Sequence, residues 1–256
     1  MPADDIDPIS GKTNPNILLI APHGRPEDDT NTGDLVRSIQ KILDCSAIIN
    51  EVFRKPKLLK KKPKKVYEDY SLENRILNLN YRPEAEQYPY YIEQIQQRIK
   101  DPTSTFVFWI HGIDDENLKD ESARLSKGKT YQCLIGLGQG KPNKFSCDPD
   151  FAVKIGTAMN SVGISTDLTD QDSDNYRGHH HNNMNQWFKE SGNGLKAVQS
   201  IQLEFGMKGI RDPGSIEKTA KKFADALISL NGAMNVFPVE DNRPRKHHWW
   251  LIHGQT

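Results

Sequence analysis

The sequence has little cysteine, no excess of charge of either sign and no long apolar run, and each absence excludes a class of protein. Three cysteines in 256 residues, none in a Cys-x-x-Cys pair, exclude a disulfide framework and a thiolate zinc knot. Basic and acidic side chains both number 34, so the zero net charge gives no global attraction to nucleic acid or to an acidic membrane. No apolar stretch approaches the ~18 residues of a membrane span, and residues 1–8 show no basic region followed by an apolar one, the pattern of a signal peptide. We therefore expect a soluble, cytoplasmic protein without a membrane partner.

Apolar runs alternate with amphipathic helical stretches along most of the chain. This pattern predicts an α/β fold, a single domain with a mainly parallel, mixed sheet and helices on both faces. Strands are predicted near residues 17–21, 46–53, 105–110, 130–137, 163–168 and 197–205, and helices near residues 32–43, 84–100, 150–161, 183–190 and 215–230. We expect the domain to span residues 17–234, between an N-terminal arm (1–16) and a C-terminal tail (235–256).

Residues 54–65 hold eight basic side chains and two prolines, so they cannot form a regular helix and should be an exposed insertion. Two interpretations stay open for this segment: a solvated loop, or a collar that attracts an anionic substrate or a nucleic acid. Because few aromatic residues are interleaved, we do not expect nucleic-acid binding from this segment alone.

Two histidines follow predicted strands, and the carboxyl ends of strands are where an open α/β sheet binds ligands. His23 comes two residues after the predicted strand 17–21 with Glu27 four residues later, and His111 directly follows the predicted strand 105–110. By itself His23 could simply hydrogen-bond in a turn. Two histidines and one carboxylate are, however, the three protein ligands of a catalytic zinc site. We predict one Zn²⁺ held by His23, Glu27 and His111, with Asp28 and Asp29 as alternatives to Glu27.

A general base is predicted at Glu204. This lone acid stands near the end of an apolar strand, where burial without a partner or a metal costs several kcal/mol. A metal-activated water needs a group that moves its proton to the leaving atom. The alternative is a salt bridge to Arg211.

Polar clusters beside the strands are candidate substrate contacts. In the segment 175–185, Arg177 could hold a carboxylate and Asn182 or Asn183 could orient an amide. The run His179–His181 is a rival metal site, although three consecutive histidines cannot all face one ion. Before a predicted helix stand Arg75, Asn80 and Arg82, which fit substrate contacts and ordinary cap or surface positions equally well. The three histidines of the tail, His247, His248 and His253, are expected to pack or to be solvated.

These motifs, in this order, resemble the N-formylglutamate amidohydrolase family and its zinc-dependent relatives that cut γ-linked glutamate chains. The resemblance is carried by Pro22-His23-Gly24 with an acid shortly after, Arg75 followed by Asn78-Leu79-Asn80-Tyr81-Arg82-Pro83, Ile110-His111-Gly112, and Ser200-Ile201-Gln202-Leu203-Glu204 with Arg211 downstream. It implies a zinc-carboxypeptidase-like core, one zinc on His23, Glu27 and His111, Glu204 as general acid/base, and an anion clamp at Arg75, Arg82 or Arg177.

The chain departs from the family pattern in three places. Family members usually read Asp-x-Asn-Arg where this chain has Asn78-Leu79-Asn80-Tyr81-Arg82, with an inserted tyrosine. The lysine-rich segment 54–65 and the histidine-rich segment 175–185 are also atypical. The reaction type therefore transfers better than the substrate.

The candidate site together with this resemblance implies a zinc-dependent amidohydrolase that cleaves an N-acyl or γ-glutamyl-type amide of a small-molecule or short peptide substrate bearing a carboxylate. The alternative is a non-catalytic module on the same fold that binds a polyanion or nucleic acid through residues 54–65.

Overall fold

The structure, a computed structural model, describes residues 5–125, 128–139, 144–170, 175–190 and 194–230. The predicted tail 235–256, with its three histidines, lies outside the described residues. Among those described, no helix combines the length and the apolar character that a membrane crossing requires.

A seven-stranded mixed sheet forms the centre of the molecule. Its strands are β1 (Asp7–Ile9), β2 (Asn14–Ala21), β3 (Cys45–Ile49), β6 (Phe106–Gly112), β7 (Cys133–Gly136), β8 (Thr166–Leu168) and β9 (Gln199–Phe205). From one edge of the sheet to the other they stand in the order β1-β3-β2-β6-β9-β7-β8. The four central strands β3, β2, β6 and β9 are parallel to one another, and β7 is parallel to β8. Two pairs are antiparallel, β1 with β3 and β7 with β9. The predicted mainly parallel, mixed sheet is confirmed, and β1 shows that part of the N-terminal arm joins it as an edge strand.

Seven α-helices accompany the sheet within the described residues. They are α1 (Thr32–Leu43), α2 (Arg82–Ala85), α3 (Pro89–Arg98), α4 (Asp115–Leu125), α5 (Pro149–Ser161), α6 (Met184–Glu190) and α7 (Ile216–Ser229). The predicted helix 84–100 is divided in two, because Pro89 cannot continue a helix and instead begins α3. Helix α4 was not predicted, because most of its residues are charged or polar and its apolar stripe is too weak to indicate a helix.

Alternating side chains of the central strands build one core on each face of the sheet. On β2, Ile17, Leu19 and Ala21 belong to the core that includes residues of α1, α5 and α7. Leu18 and Ile20 belong to the core on the other face, which includes residues of α3 and α6. A strand buried on both sides reads as a continuous apolar run, as β2 and β6 do. Helices therefore cover both faces, as predicted.

The basic segment contributes to a second, two-stranded sheet. Strands β4 (Leu58–Lys60) and β5 (Val66–Tyr67) pair antiparallel, and all of their residues are exposed. Residues 57–65 of the segment are exposed and residues 54–56 are half-buried, and part of the segment is an ordered hairpin and not an irregular loop.

Candidate metal and catalytic site

Three neighbouring parallel strands bring the principal side chains to one edge of the sheet. His23 lies two residues beyond β2, and His111 and Glu204 each occupy the penultimate position of their strands β6 and β9. His111 and Glu204 are register partners. Because side chains alternate along a strand, both project from the same face of the sheet as Trp109, two residues before His111.

His23, Asp29 and His111 form a compact buried group. The Nδ1 atoms of His23 and His111 lie 3.2 and 3.3 Å from the same carboxylate oxygen, Oδ2 of Asp29. Ligands of a tetrahedral zinc ion at bond lengths of ~2.0–2.1 Å are separated by about 3.3 Å, so the spacing of these atoms fits a zinc site. Among the described residues, this is the one group of three or more ligating side chains close enough to share an ion.

Glu27, predicted as the third ligand, lies outside this group, and the structure instead brings Asp29, one of its two predicted alternatives, beside the histidines. The Glu27 side chain is 65% exposed and accepts a hydrogen bond of 2.5 Å from Nε of Arg25. The chain turns after His23, so that the backbone N–H of Asp29 donates to the His23 carbonyl and the Asp29 side chain lies beside the histidine ring. Asp28, the other alternative, accepts from the backbone N–H of Lys55. The seven-residue turn from His23 to Asp29 therefore determines which of the three acids lies beside the histidines.

A hydrogen bond at the second ring nitrogen of His23, Nε2, determines which nitrogen faces Asp29. Nε2 lies 2.7 Å from Oδ1 of Asn78, an oxygen that also accepts the backbone N–H of Asn80. Nε2 therefore carries a hydrogen, and Nδ1 faces the carboxylate of Asp29 with its lone pair unless the ring is charged. A lone pair and a carboxylate oxygen approach this closely when a cation, either a proton or a metal ion, lies between them. Histidine ligands of metals are typically oriented by such an outer hydrogen bond.

Asp29 is held in its charged form from several directions. Burial alone would raise its pKa, but the charge of His23, hydrogen bonds from His111 and His23, and the charge of Lys55 together hold the pKa well below its usual value. Nζ of Lys55 lies 2.9 Å from Oδ1, and the backbone N–H of Gly112 donates to Oδ2. In the sequence Lys55 is one of several lysines in a basic run, and no local pattern distinguishes it from the others.

Glu204 is buried beside this group. Removal from water raises its pKa above the usual value, while the nearby charge of His111 and a 2.7 Å hydrogen bond from Nε2 of Gln202 oppose the shift. Nδ2 of Asn183 donates to Oε1 of Gln202, which fixes the amide so that its nitrogen faces Glu204. Gln202 is not among the predicted site residues. Its position two residues before Glu204 on the same strand nevertheless indicates that both side chains lie on the same face of the sheet.

The guanidinium of Arg211, the alternative partner of Glu204, is engaged elsewhere. It donates to four backbone carbonyls, those of Thr30, Ile113, Phe205 and Gly206. Arg211 thus ties the ends of β6 and β9 to the turn that carries Asp29.

Two of the predicted substrate segments lie side by side. The backbone N–H of Arg82 donates to the carbonyl of Asn182, and that of Met184 donates to the carbonyl of Asn80. Within the described residues, the buried Oδ1 of Asn80 has no hydrogen-bond partner. The predicted contacts at Asn80, Arg82, Asn182 and Asn183 therefore belong to one surface.

The two remaining predicted arginines differ in their surroundings. The Arg75 side chain is 57% exposed and pairs with Asp5 at 3.2 Å, so its observed contact is with the N-terminal segment. Arg177 is buried and donates to the carbonyl of Gln139. In the run that follows it, the rings of His180 and His181 stack at 4.3 Å, and none of the three histidines joins the group around Asp29.

Neither a family model nor a curated protein matches this chain. Solved structures do match. An N-formylglutamate amidohydrolase from Ralstonia eutropha JMP134 superposes with a TM-score of 0.57 at 12% identity, covering 90% of this chain and 98% of that one. A putative carboxypeptidase from Burkholderia mallei gives a TM-score of 0.50 at 12% identity, covering 91% of this chain and 60% of that one. At these identities the likeness shows the fold, and the predicted carboxypeptidase-like architecture is confirmed.

Proposed function

We propose that this protein is a zinc-dependent amidohydrolase. The observation that carries the proposal is the buried group of His23, Asp29 and His111 at the strand ends, with Glu204 one strand away in register with His111. Two imidazoles and one carboxylate leave a fourth position of a tetrahedral ion open, which is the arrangement of catalytic rather than structural zinc sites. A zinc ion bound there would supply Lewis acidity toward water and toward a carbonyl oxygen.

The residues of the chain itself provide the proton transfers. Glu204, held by Gln202, accepts a proton from the attacking water and delivers it to the leaving nitrogen as the amide breaks. Burial suits the carboxylate to this cycle, because a raised pKa makes the protonated form accessible during turnover. The products are a carboxylic acid and an amine.

The polar surface beside the site supports an amide substrate with a carboxylate. Oδ1 of Asn80 is a buried acceptor without a partner among the described residues, and it can receive an amide N–H. We assign the substrate carboxylate to Arg82 or Arg177, since guanidinium groups bind carboxylates strongly. In the structure Nε of Arg82 also donates to Glu86, and Nη1 of Arg177 donates to the carbonyl of Gln139. The substrate class is an N-acyl or γ-glutamyl-type amide.

The test separates chemistry from metal binding. Glu204→Gln should keep its zinc and lose amide hydrolysis by at least about a hundredfold, since the proton carrier is gone. His111→Ala should lose both zinc and activity. Glu121→Gln is the matched control, because Glu121 is also a buried acid but lies on α4. Unchanged hydrolysis in Glu204→Gln, or full zinc content in His111→Ala, would overturn the assignment.

A further inference from the structure

Residues 57–67, here called the lysine arm, form a positively charged surface. None of these residues takes part in the metal binding or the proton transfer proposed above. The arm comprises β4, β5 and their connection, and it carries six exposed lysines: Lys57, Lys60, Lys61, Lys62, Lys64 and Lys65. Within the described parts of the chain, none of the six forms an ion pair. Since the whole chain is neutral, this charge is a local concentration and not part of a general basic surface.

The base of the lysine arm is closed by an ion pair and by backbone hydrogen bonds. Both terminal nitrogens of Arg54 donate to the carboxylate of Glu68, at 2.6 and 2.8 Å. Glu68 also accepts from the backbone N–H of Lys57, and its own N–H donates to the Lys57 carbonyl. The Arg54 guanidinium lowers the pKa of Glu68 to about 2, so the clasp stays charged at neutral pH. Charges on an anchored hairpin lose less freedom on binding than charges on a free loop.

The same base adjoins the candidate metal site. Lys55, two residues before the lysine arm, contacts Asp29 through Nζ and Asp28 through its backbone N–H. Arg25, on the turn that carries Asp29, donates to the carbonyl of Val52, three residues before Lys55. The chain that leads into the lysine arm therefore contacts the turn that carries Asp29, so a ligand bound along the arm could extend from its base toward this site.

The chemistry of the surface favours an acidic polypeptide over a nucleic acid. Lysine ammonium groups are point charges that pair readily with separate carboxylates, and Arg54 is already committed to Glu68. Single-stranded nucleic acid is bound by stacking on several aromatic rings, whereas the lysine arm contains one, Tyr67. Exposed Leu59 and Val66 offer apolar contact to the methylene groups of acidic side chains.

We propose that the lysine arm is a docking surface for an acidic polypeptide chain, from which an adjoining amide enters the candidate site. The docking itself does not depend on catalysis. The statement that the docked chain is also a substrate rests on the proposed hydrolase function, and it means that the substrate is polymeric.

Binding is measured by fluorescence anisotropy with labelled polyglutamate and the full-length, metal-free protein, so that hydrolysis plays no part. The combined change Lys61→Gln, Lys62→Gln and Lys64→Gln should weaken affinity by about tenfold or more at low salt. The matched control removes the same charge at Lys12, Lys41 and Lys218, which are exposed elsewhere, and should leave affinity within about twofold. Raising the salt from about 0.05 to about 0.2 M should weaken native binding and narrow the difference between the variants.

Equal affinity of the two triple variants would overturn the docking surface. Tighter binding of a single-stranded oligonucleotide of the same charge would overturn the choice of a polypeptide. A different result would contradict the proposed hydrolase function alone. In that case polyglutamate would still bind to the lysine arm, but the zinc-loaded protein would hydrolyse neither polyglutamate nor any smaller amide.

Discussion

At the scale of single residues, Asn78 is the side chain whose role follows most directly from one contact. Its Oδ1 accepts the hydrogen on Nε2 of His23, which leaves Nδ1 facing Asp29. Outer contacts of this kind typically change metal affinity by about 10- to 100-fold when removed. We expect that loss in Asn78→Ala, measured by zinc titration against a competing chelator.

Asn78→Asp keeps an oxygen acceptor at the same place and should retain most of the affinity. Asn74→Ala, an exposed asparagine in the preceding turn, is the control. If Asn78→Ala bound zinc as tightly as Asn74→Ala, the ring of His23 would not be oriented in this way.

The residue scale also shows how far the sequence could predict the site. His23, His111 and Glu204 were accessible because each follows or ends an apolar strand, and the carboxyl ends of parallel strands meet. The choice among Glu27, Asp28 and Asp29 was not accessible, since it depends on the turn in which Asp29 N–H donates to the His23 carbonyl. Lys55 was hidden for a similar reason: an ion pair between separate segments leaves no local pattern.

At the scale of secondary-structure elements, the end of β6 has a strict steric requirement. A Cβ on Gly112 would lie 2.5 Å from the guanidinium carbon of Arg211, which holds the ends of β6 and β9 to the Thr30 carbonyl. Gly112→Ala must therefore displace Arg211. We expect a loss of about 1–3 kcal/mol in the free energy of unfolding, measured with urea, together with weakened zinc binding.

Gly156 provides the matched substitution. It lies inside α5, where an added Cβ would meet Cδ1 of Ile135 at an ordinary 3.5 Å. Gly156→Ala should leave zinc binding unchanged and add up to about 1 kcal/mol of stability, because alanine favours the helix. If the two alanine variants had the same free energy of unfolding, Arg211 could move aside without destabilising the fold, and the steric requirement at Gly112 would be wrong.

Elements were predicted well where a buried face imposes a period and poorly where it does not. The runs that became β2, β6 and β9 and the stripe of α7 were found because burial on the sheet requires them. Helix α4 and the hairpin β4-β5 are rich in charged residues and present no comparable apolar period. Their formation depends on neighbours such as Glu68, whose bond to Arg54 closes the hairpin.

At the scale of the whole molecule, the sheet order explains why His23 and Glu204, 181 positions apart, meet in one candidate site. Strands β2, β6 and β9 are neighbours in space although they are distant in sequence, and each carries its functional residue at or just beyond its carboxyl end. The segments between them supply the second ring of contacts, with Lys55 and Asn78 from one and Asn183 from another. The lysine arm is inserted between β3 and the helix α2, beside this edge.

The central claim is that His23, Asp29 and His111 together hold one divalent ion, and calorimetric titration of zinc into the metal-free protein tests it most directly. We predict one ion per native chain, the same stoichiometry and affinity for Glu27→Gln, and an affinity lower by at least about a hundredfold for Asp29→Asn, which loses the charged ligand. A native chain that takes up no zinc, or an Asp29→Asn variant that binds it as the native chain does, would contradict the account.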